Sequence, residues 1–187
     1  WVGKRTYGAA CISLKPSKFR LYNQLDGRKF TPAAFAIYPE NKDSIWIATK
    51  QGKLHLIDRE KNKLLSTVQF PTGNINAISP HFDENLLWLA GTQGLYLFNK
   101  RTHLISYISE SIKNGFITSL YLEPDSTLWC ASGNGLFVYK YNKMKKVYPL
   151  KNDANETSNI CRTIFVEKDT IWAGFASKGL VKIIRRK

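Results

Sequence analysis

Five tryptophans recur along this chain at nearly one interval: Trp1, Trp46, Trp88, Trp129 and Trp172 are 45, 42, 41 and 43 residues apart. A fixed period of this length marks a repeat architecture and outranks any local propensity. The text after each Trp is alike as well: WVGKRTYGAACISL, WIATKQGKLHLID, WLAGTQGLYLFN, WCASGNGLFVYK and WAGFASKGLVKI. A small residue stands two after the Trp, and a glycine follows at six (Gly52, Gly94, Gly135) or seven (Gly8, Gly179).

The physical reading of one copy is a hairpin turning at the glycine, the residue that tolerates positive φ. Ahead of each later Trp lies another short apolar run (AAFAIY, NINAIS, FITSLYL, ICRTIFV), closed by a polar turn. After the glycine strand comes a fourth: FRLYN, LLSTVQF, LISYIS and KVYPL. Each unit of about 42 residues is thus four short antiparallel strands, the content of one β-propeller blade. The expected fold is all-β, an incomplete, open arc of about four to five four-stranded blades. The expected units are 1–31 (partial), 32–73, 74–115, 116–159 and 160–187 (partial), all within one segment 1–187. A lone blade has two apolar faces, so neighbours must cover them, and the Trp residues are expected to be buried there. Exposed faces at the ends of an open arc are expected to promote self-association.

The pattern apolar-Trp-x-Gly/Ala-Thr-x-x-Gly-Leu-x-x-Tyr/Phe is clearest at Trp88 and Trp129. It resembles the two-component regulator propeller repeat, found in the periplasmic sensor region of hybrid two-component histidine kinases of gut Bacteroidetes. The resemblance covers essentially the whole chain, with departures: Lys4, Ser132 and Phe175 replace Thr, and Lys53 and Ala9 replace Leu. It implies a non-catalytic, periplasmic sensor segment that detects oligosaccharides. It also implies a parent with seven-bladed propellers in pairs, an immunoglobulin-like domain, one membrane span and a kinase. The chain opens inside a repeat and is expected to be a piece of such a parent. The remaining blades and domains would then be partners, and any membrane contact would lie in the missing parts.

Two other classes compete with a sensor: a lyase-type propeller enzyme acting on a polysaccharide or other extracytoplasmic substrate, and a general protein-interaction propeller. A lyase needs a clustered His with acid or metal partners, whereas His55, His81 and His103 are scattered through the repeats. Cys11, Cys130 and Cys161 are odd in number and far apart, so they read as small buried hydrophobes. No Cys or His lies at metal-ligand spacing from another, and neither a metal nor a cofactor is expected.

The 28 Lys and Arg exceed the 14 Asp and Glu, for a formal net charge of +14. Such a field favours anionic partners. Without a recognition helix or RNA-reading motif, nucleic acid is not expected among them. Strand alternation fixes which loops share a face. The upper face gathers the loops from strand 2 to 3 and from strand 4 to the next blade. It carries Lys4, Arg5, Arg28, Lys29, Lys50, Lys53, Lys113, Lys151 and Lys178 against Asp26, Glu110, Asp153 and Glu156, with Tyr7, Phe30, Phe116 and Phe175 among them. Arg5, Tyr7, Arg28, Lys29, Phe30 and Lys50 are the candidate ligand site: bases for carboxylate or sulfate, aromatic faces for sugar rings. On the opposite face, acidic loops adjoin basic hairpins (Lys61, Lys63, Lys100, Arg101, Lys143, Lys145, Lys146) and are expected to neutralise them.

Overall fold

Short runs of alternating apolar and polar residues, separated by Asx-type turns, leave the chain little but antiparallel meanders to form. The computed structural model describes residues 2–4, 8–11, 20–71, 73–109, 116–148 and 159–184. Trp1, Arg5, Tyr7, Glu110, Lys113, Lys151, Asp153 and Glu156 lie outside them.

The first sheet has three strands, β1 (Val2–Lys4), β2 (Gly8–Cys11) and β3 (Arg20–Leu21). A two-stranded hairpin follows, β4 (Gln24–Leu25) and β5 (Arg28–Lys29). Then come three four-stranded sheets: β6 (Ala34–Pro39), β7 (Ser44–Thr49), β8 (Lys53–Asp58) and β9 (Lys63–Gln69); β10 (Ile75–Pro80), β11 (Leu86–Gly91), β12 (Gly94–Asn99) and β13 (Ile105–Ser109); β14 (Ile117–Leu122), β15 (Leu128–Ser132), β16 (Gly135–Lys140) and β17 (Lys143–Tyr148). The last sheet has β18 (Cys161–Glu167), β19 (Thr170–Phe175) and β20 (Gly179–Ile184). Strand order equals chain order in every sheet, as in propeller blades. The chain divides into two compact units, Trp1–Ile78 and Ser79–Lys187.

Within the second unit, β18 lies against β14 and β15. First strands side by side are the signature of radial stacking. Between these two sheets Trp129, Ala131 and Leu136 share one core with Cys161, Ile164, Ile171, Ala173 and Phe175. Three first strands, β6, β14 and β18, break register once, at Ala34/Ala36, Ile117/Ser119 and Cys161/Thr163. Such a bulge sharpens local twist. At the second of these, the Thr118 hydroxyl donates to the Cys161 carbonyl at 2.7 Å and so ties neighbouring blades together. Cys130 and Cys161 are buried free thiols, and burial pushes both thiols up, Cys161 to about 11.

The glycine turns need adjustment by one or two residues. Gly91 pairs with Gly94 and Ser132 with Gly135, so the turns are Thr92–Gln93 and Gly133–Asn134, and the repeat glycine opens the third strand. Its φ is 133° at Gly94 and 118° at Gly135, values that side chains rarely adopt. In the β6–β9 blade one extra residue enters the turn: Thr49 pairs with Lys53, which takes the place of those glycines. Gly52 therefore belongs to the turn, and Leu54, fully buried like Leu95 and Leu136, is the repeat leucine that Lys53 had appeared to replace.

Two expectations on side-chain placement are corrected as well. Lys143, Lys145 and Lys146 lie along edge strand β17, the second arm of the hairpin and not its turn, which is made by Tyr141 and Asn142 at φ 50° and 58°. On that side Asp125 pairs with Lys140, 2.8 Å away, a base outside the expected set. Trp46, Trp88 and Trp129 are buried, but Trp172 is only half-buried. It pairs with Phe165 and Lys182 on the outer side of the last sheet, where Phe165, Leu180 and Ile184 are 61%, 65% and 65% exposed and the Lys182 amine sits 5.2 Å over its ring.

This difference is measurable. Trp129→Ala should cost about 3 to 5 kcal/mol in urea denaturation, as for a large core side chain, and Trp172→Ala less than half of that. Equal losses at the two sites would mean that Trp172 is packed as deeply as Trp129.

Candidate functional site

The sequence Leu-Asp-Gly-Arg-Lys at 25–29 is the strongest short hairpin signal in the chain, because Asp-Gly accommodates two successive residues of positive φ. Asp26 and Gly27 have φ 51° and 71°. The hairpin is fastened to the far end of the β6–β9 blade. Asp26 N–H donates to Asn62 O at 3.1 Å, the Asp26 carboxylate accepts from Leu64 N–H at 3.1 Å, and the Tyr22 hydroxyl donates to Arg59 O at 2.9 Å. Its apolar side covers the blade: Leu25, 4% exposed, packs with Ala34, Ile45, Ile47 and Ile57, and Phe30 and Leu64 close the edges.

This arrangement corrects two expectations. Asp26 sits by the strand 3-to-4 turn, away from the upper face, because residues 24–29 fold back as a hairpin in place of a simple crossing. Phe30 is half-buried against the blade core and meets the His55 ring edge-on at 5.3 Å, so its faces do not form an open stacking platform.

The upper rim is held by a second set of contacts. Lys50 N–H donates to Ala33 O (2.8 Å), Gln51 N–H to the Asn74 side chain (3.0 Å), Phe70 N–H to Gly52 O (2.7 Å) and the Gln69 amide to Gln51 O (2.9 Å). Gln51 is held at φ 67°, a conformation costly for a residue with a side chain. At Gly52, φ is 69° and a Cβ would fall on the Gly73 carbonyl oxygen, so only glycine lets the two loops meet.

Between rim and hairpin lies a cavity of about 420 Å³. It brings together Lys29, Phe30 and Lys50 of the sequence-derived set and adds Thr49, Gln51, Lys53 and His55. Three lysines line it, and no carboxylate does. Arg28 is not among its walls. It lines a neighbouring cavity with Leu25, Asp26 and Leu64.

The floor is polar and fully paired. His55 Nδ1 lies 2.9 Å from the Thr67 hydroxyl and Nε2 lies 3.2 Å from that of Thr49, which in turn donates to Lys53 O at 3.3 Å. If Thr49 spends its proton on that carbonyl, Nε2 carries the imidazole proton and Nδ1 accepts from Thr67. Burial, then the Lys53 charge, lowers the His55 pKa to about 4. At neutral pH the cavity therefore presents three lysines around an uncharged imidazole.

The other candidates do not join this site. Phe175 is buried in the second unit's core, and the half-buried Phe116 ring stands against Gly133, so both plug blade ends. The Lys178 amine sits 5.7 Å over the Tyr148 ring. His81 packs on Trp88, and His103 stacks on Phe98. Among the described residues no group of three His, Cys, Asp or Glu could hold a metal, and no helix is long and apolar enough to cross a membrane.

No family model and no curated protein matches the sequence. Solved structures resemble it in fold. The extracellular domain named as that of a hybrid two component system, BT3049 of B. thetaiotaomicron, superposes with a TM-score of 0.76 at 18% identity, over 98% of this chain and 24% of that one. The corresponding domain of BT4673 from the same organism gives 0.75 at 20% identity, over 97% and 25%. The computationally designed Ika4 protein gives 0.62 at 12% identity, over 87% of this chain and 96% of its own. The chain thus spans about a quarter of the length of the two bacterial domains it resembles.

The buried imidazole gives a signature in acid. Between its ordinary pKa of 6.5 and its folded value of about 4, the unfolded chain binds the proton and the folded one does not. Stability should therefore fall as pH drops through that window, and this group should add nothing below it. Urea midpoints from pH 7 to 4 would show the slope, and His55→Asn should flatten it. A slope unchanged in the variant would place the acid sensitivity elsewhere.

Proposed function

We propose that this chain is a non-catalytic sensing segment from the extracytoplasmic, periplasmic part of a hybrid two-component histidine kinase, and that its cationic cavity receives an acidic oligosaccharide. The observation that carries the ligand class is the wall of Lys29, Lys50 and Lys53 without a carboxylate. Ammonium groups so placed form charge-assisted hydrogen bonds to uronate or sulfate oxygens, and Gln51 and Thr49 supply neutral partners for hydroxyls. Support for the sensor role comes from the fold, which this chain shares over nearly its full length with two extracellular domains named as those of hybrid two component systems. Signal transduction would be the work of the rest of the protein.

Calorimetry with trigalacturonate and maltotriose separates the readings. The acidic sugar should bind and the neutral one should bind at least ten times more weakly, with the difference shrinking as salt rises, because exposed charges are screened over about 8 to 10 Å. Lys50→Ala with Lys53→Ala should weaken the acidic sugar about ten-fold, as for roughly 1.4 kcal/mol of lost contacts. Equal binding of both sugars would remove the charge argument, and appearance of cleaved product would point to a lyase.

A further inference from the structure

The candidate cavity has a neighbour on the same blade face. A second space of about 450 Å³ lies on the far side of Phe30, walled by Leu25, Asp26, Arg28 and Leu64, and Lys29 and Phe30 line both. Shared walls place the two spaces next to each other.

Their chemistry differs in a graded way. The first is cationic and hydroxyl-rich, with Lys50, Lys53 and Thr49. The second is largely apolar at Leu25, Leu64 and the Phe30 ring, with the exposed Arg28 at its mouth and Lys29 on the border. Its one carboxylate, Asp26, is already engaged by Leu64 N–H. Each space alone is at the small end of ligand pockets, which run from roughly 300 to 1,000 Å³.

Building on the acidic-oligosaccharide reading, we infer that the two spaces are successive subsites of one groove, which selects a chain of at least two linked acidic units over a single one. One unit sits among Lys50, Lys53 and Thr49. The ligand then crosses Phe30 beside Lys29, and the next unit lays its apolar ring face against the half-buried Leu64 with its acid group on Arg28. The guanidinium fork suits that role, because it grips a carboxylate at two points while the ring packs below. Arg28 is thereby a specificity residue for ligand length, which explains why it stands apart from Lys50.

The test is a length series: galacturonate monomer, dimer, trimer and tetramer titrated calorimetrically into the full chain at low salt, as wild type, Arg28→Ala, Arg28→Lys and the Lys50→Ala, Lys53→Ala pair. Affinity should rise at least ten-fold from monomer to dimer and little thereafter. Arg28→Ala should lower dimer affinity about ten-fold and monomer affinity far less, Arg28→Lys should recover part of the loss, and the lysine pair should weaken every length. Thermal melts confirm that each variant is folded. Binding without a length step, or a step that survives Arg28→Ala, overturns the two-subsite inference and leaves the acidic-ligand reading standing. Binding of no length overturns both.

Discussion

A four-stranded antiparallel blade carries apolar side chains on both faces, and everything else in this protein follows from the need to cover them. At about 25 cal/mol per Å² of apolar surface, a face left in water forfeits more than a small sheet can spare. In the second unit, a blade does the covering: Trp129 of one sheet is buried among Cys161, Ile164 and Ala173 of the next. In the first unit, the face of Ile45, Ile47 and Ile57 is covered in part by the 24–29 hairpin and Phe30. Where the last sheet has Phe165, Leu180 and Ile184 open to water, its Trp is half-buried too.

The hairpin lays Leu25 and Phe30 on this face, and the candidate cavity opens beside them. Opposite the strip that Leu25 and Phe30 fill, the blade has to place something compatible with partial hydration. It places His55, where the other four-stranded sheets carry Tyr96 and Phe137 two positions into the third strand, both buried. An imidazole at that depth is tolerable only when both nitrogens are paired, and Thr49 and Thr67 do so. The same blade carries the longer turn that presents Lys50 and Gln51. A turn of that length also joins β1 to β2 and β19 to β20, so the departure of this blade is the histidine, and turn and histidine line one cavity.

The blades were legible in the sequence because the period of the Trp and Gly positions is a long-range signal that no single propensity error can erase. The site was legible only in part. Lys29, Phe30 and Lys50 could be placed on one face by counting strands, but that counting assumes each connection to be a plain crossing. The Asp-Gly at 26–27 contradicts the assumption locally and was the signal that would have separated Arg28 and Asp26 from the upper loops. His55 was visible only as one of three scattered histidines. Only the one-residue turn insertion, which aligns Lys53 with Gly94, reveals that it occupies a position held by aromatics elsewhere. Which face of Phe30 is free depends on packing, and pattern cannot reach it.

Net charge explains less here than the distribution of charge. The chain as a whole carries +14, but on the opposite side Lys140 is matched by Asp125, and the hairpin tip spends Asp26 on a backbone amide. Around the cavity, Lys29, Lys50 and Lys53 line the wall with no acid among them. By mass action, a ligand at a hundred times its Kd would add about 2.7 kcal/mol to stability. The loops that frame the cavity are tied to each other, Lys50–Gly52 against Gly73 and Asn74. Under the proposed sensing role, that tie is where an occupied cavity would act on its frame, since binding that left the frame unchanged would have nothing to transmit.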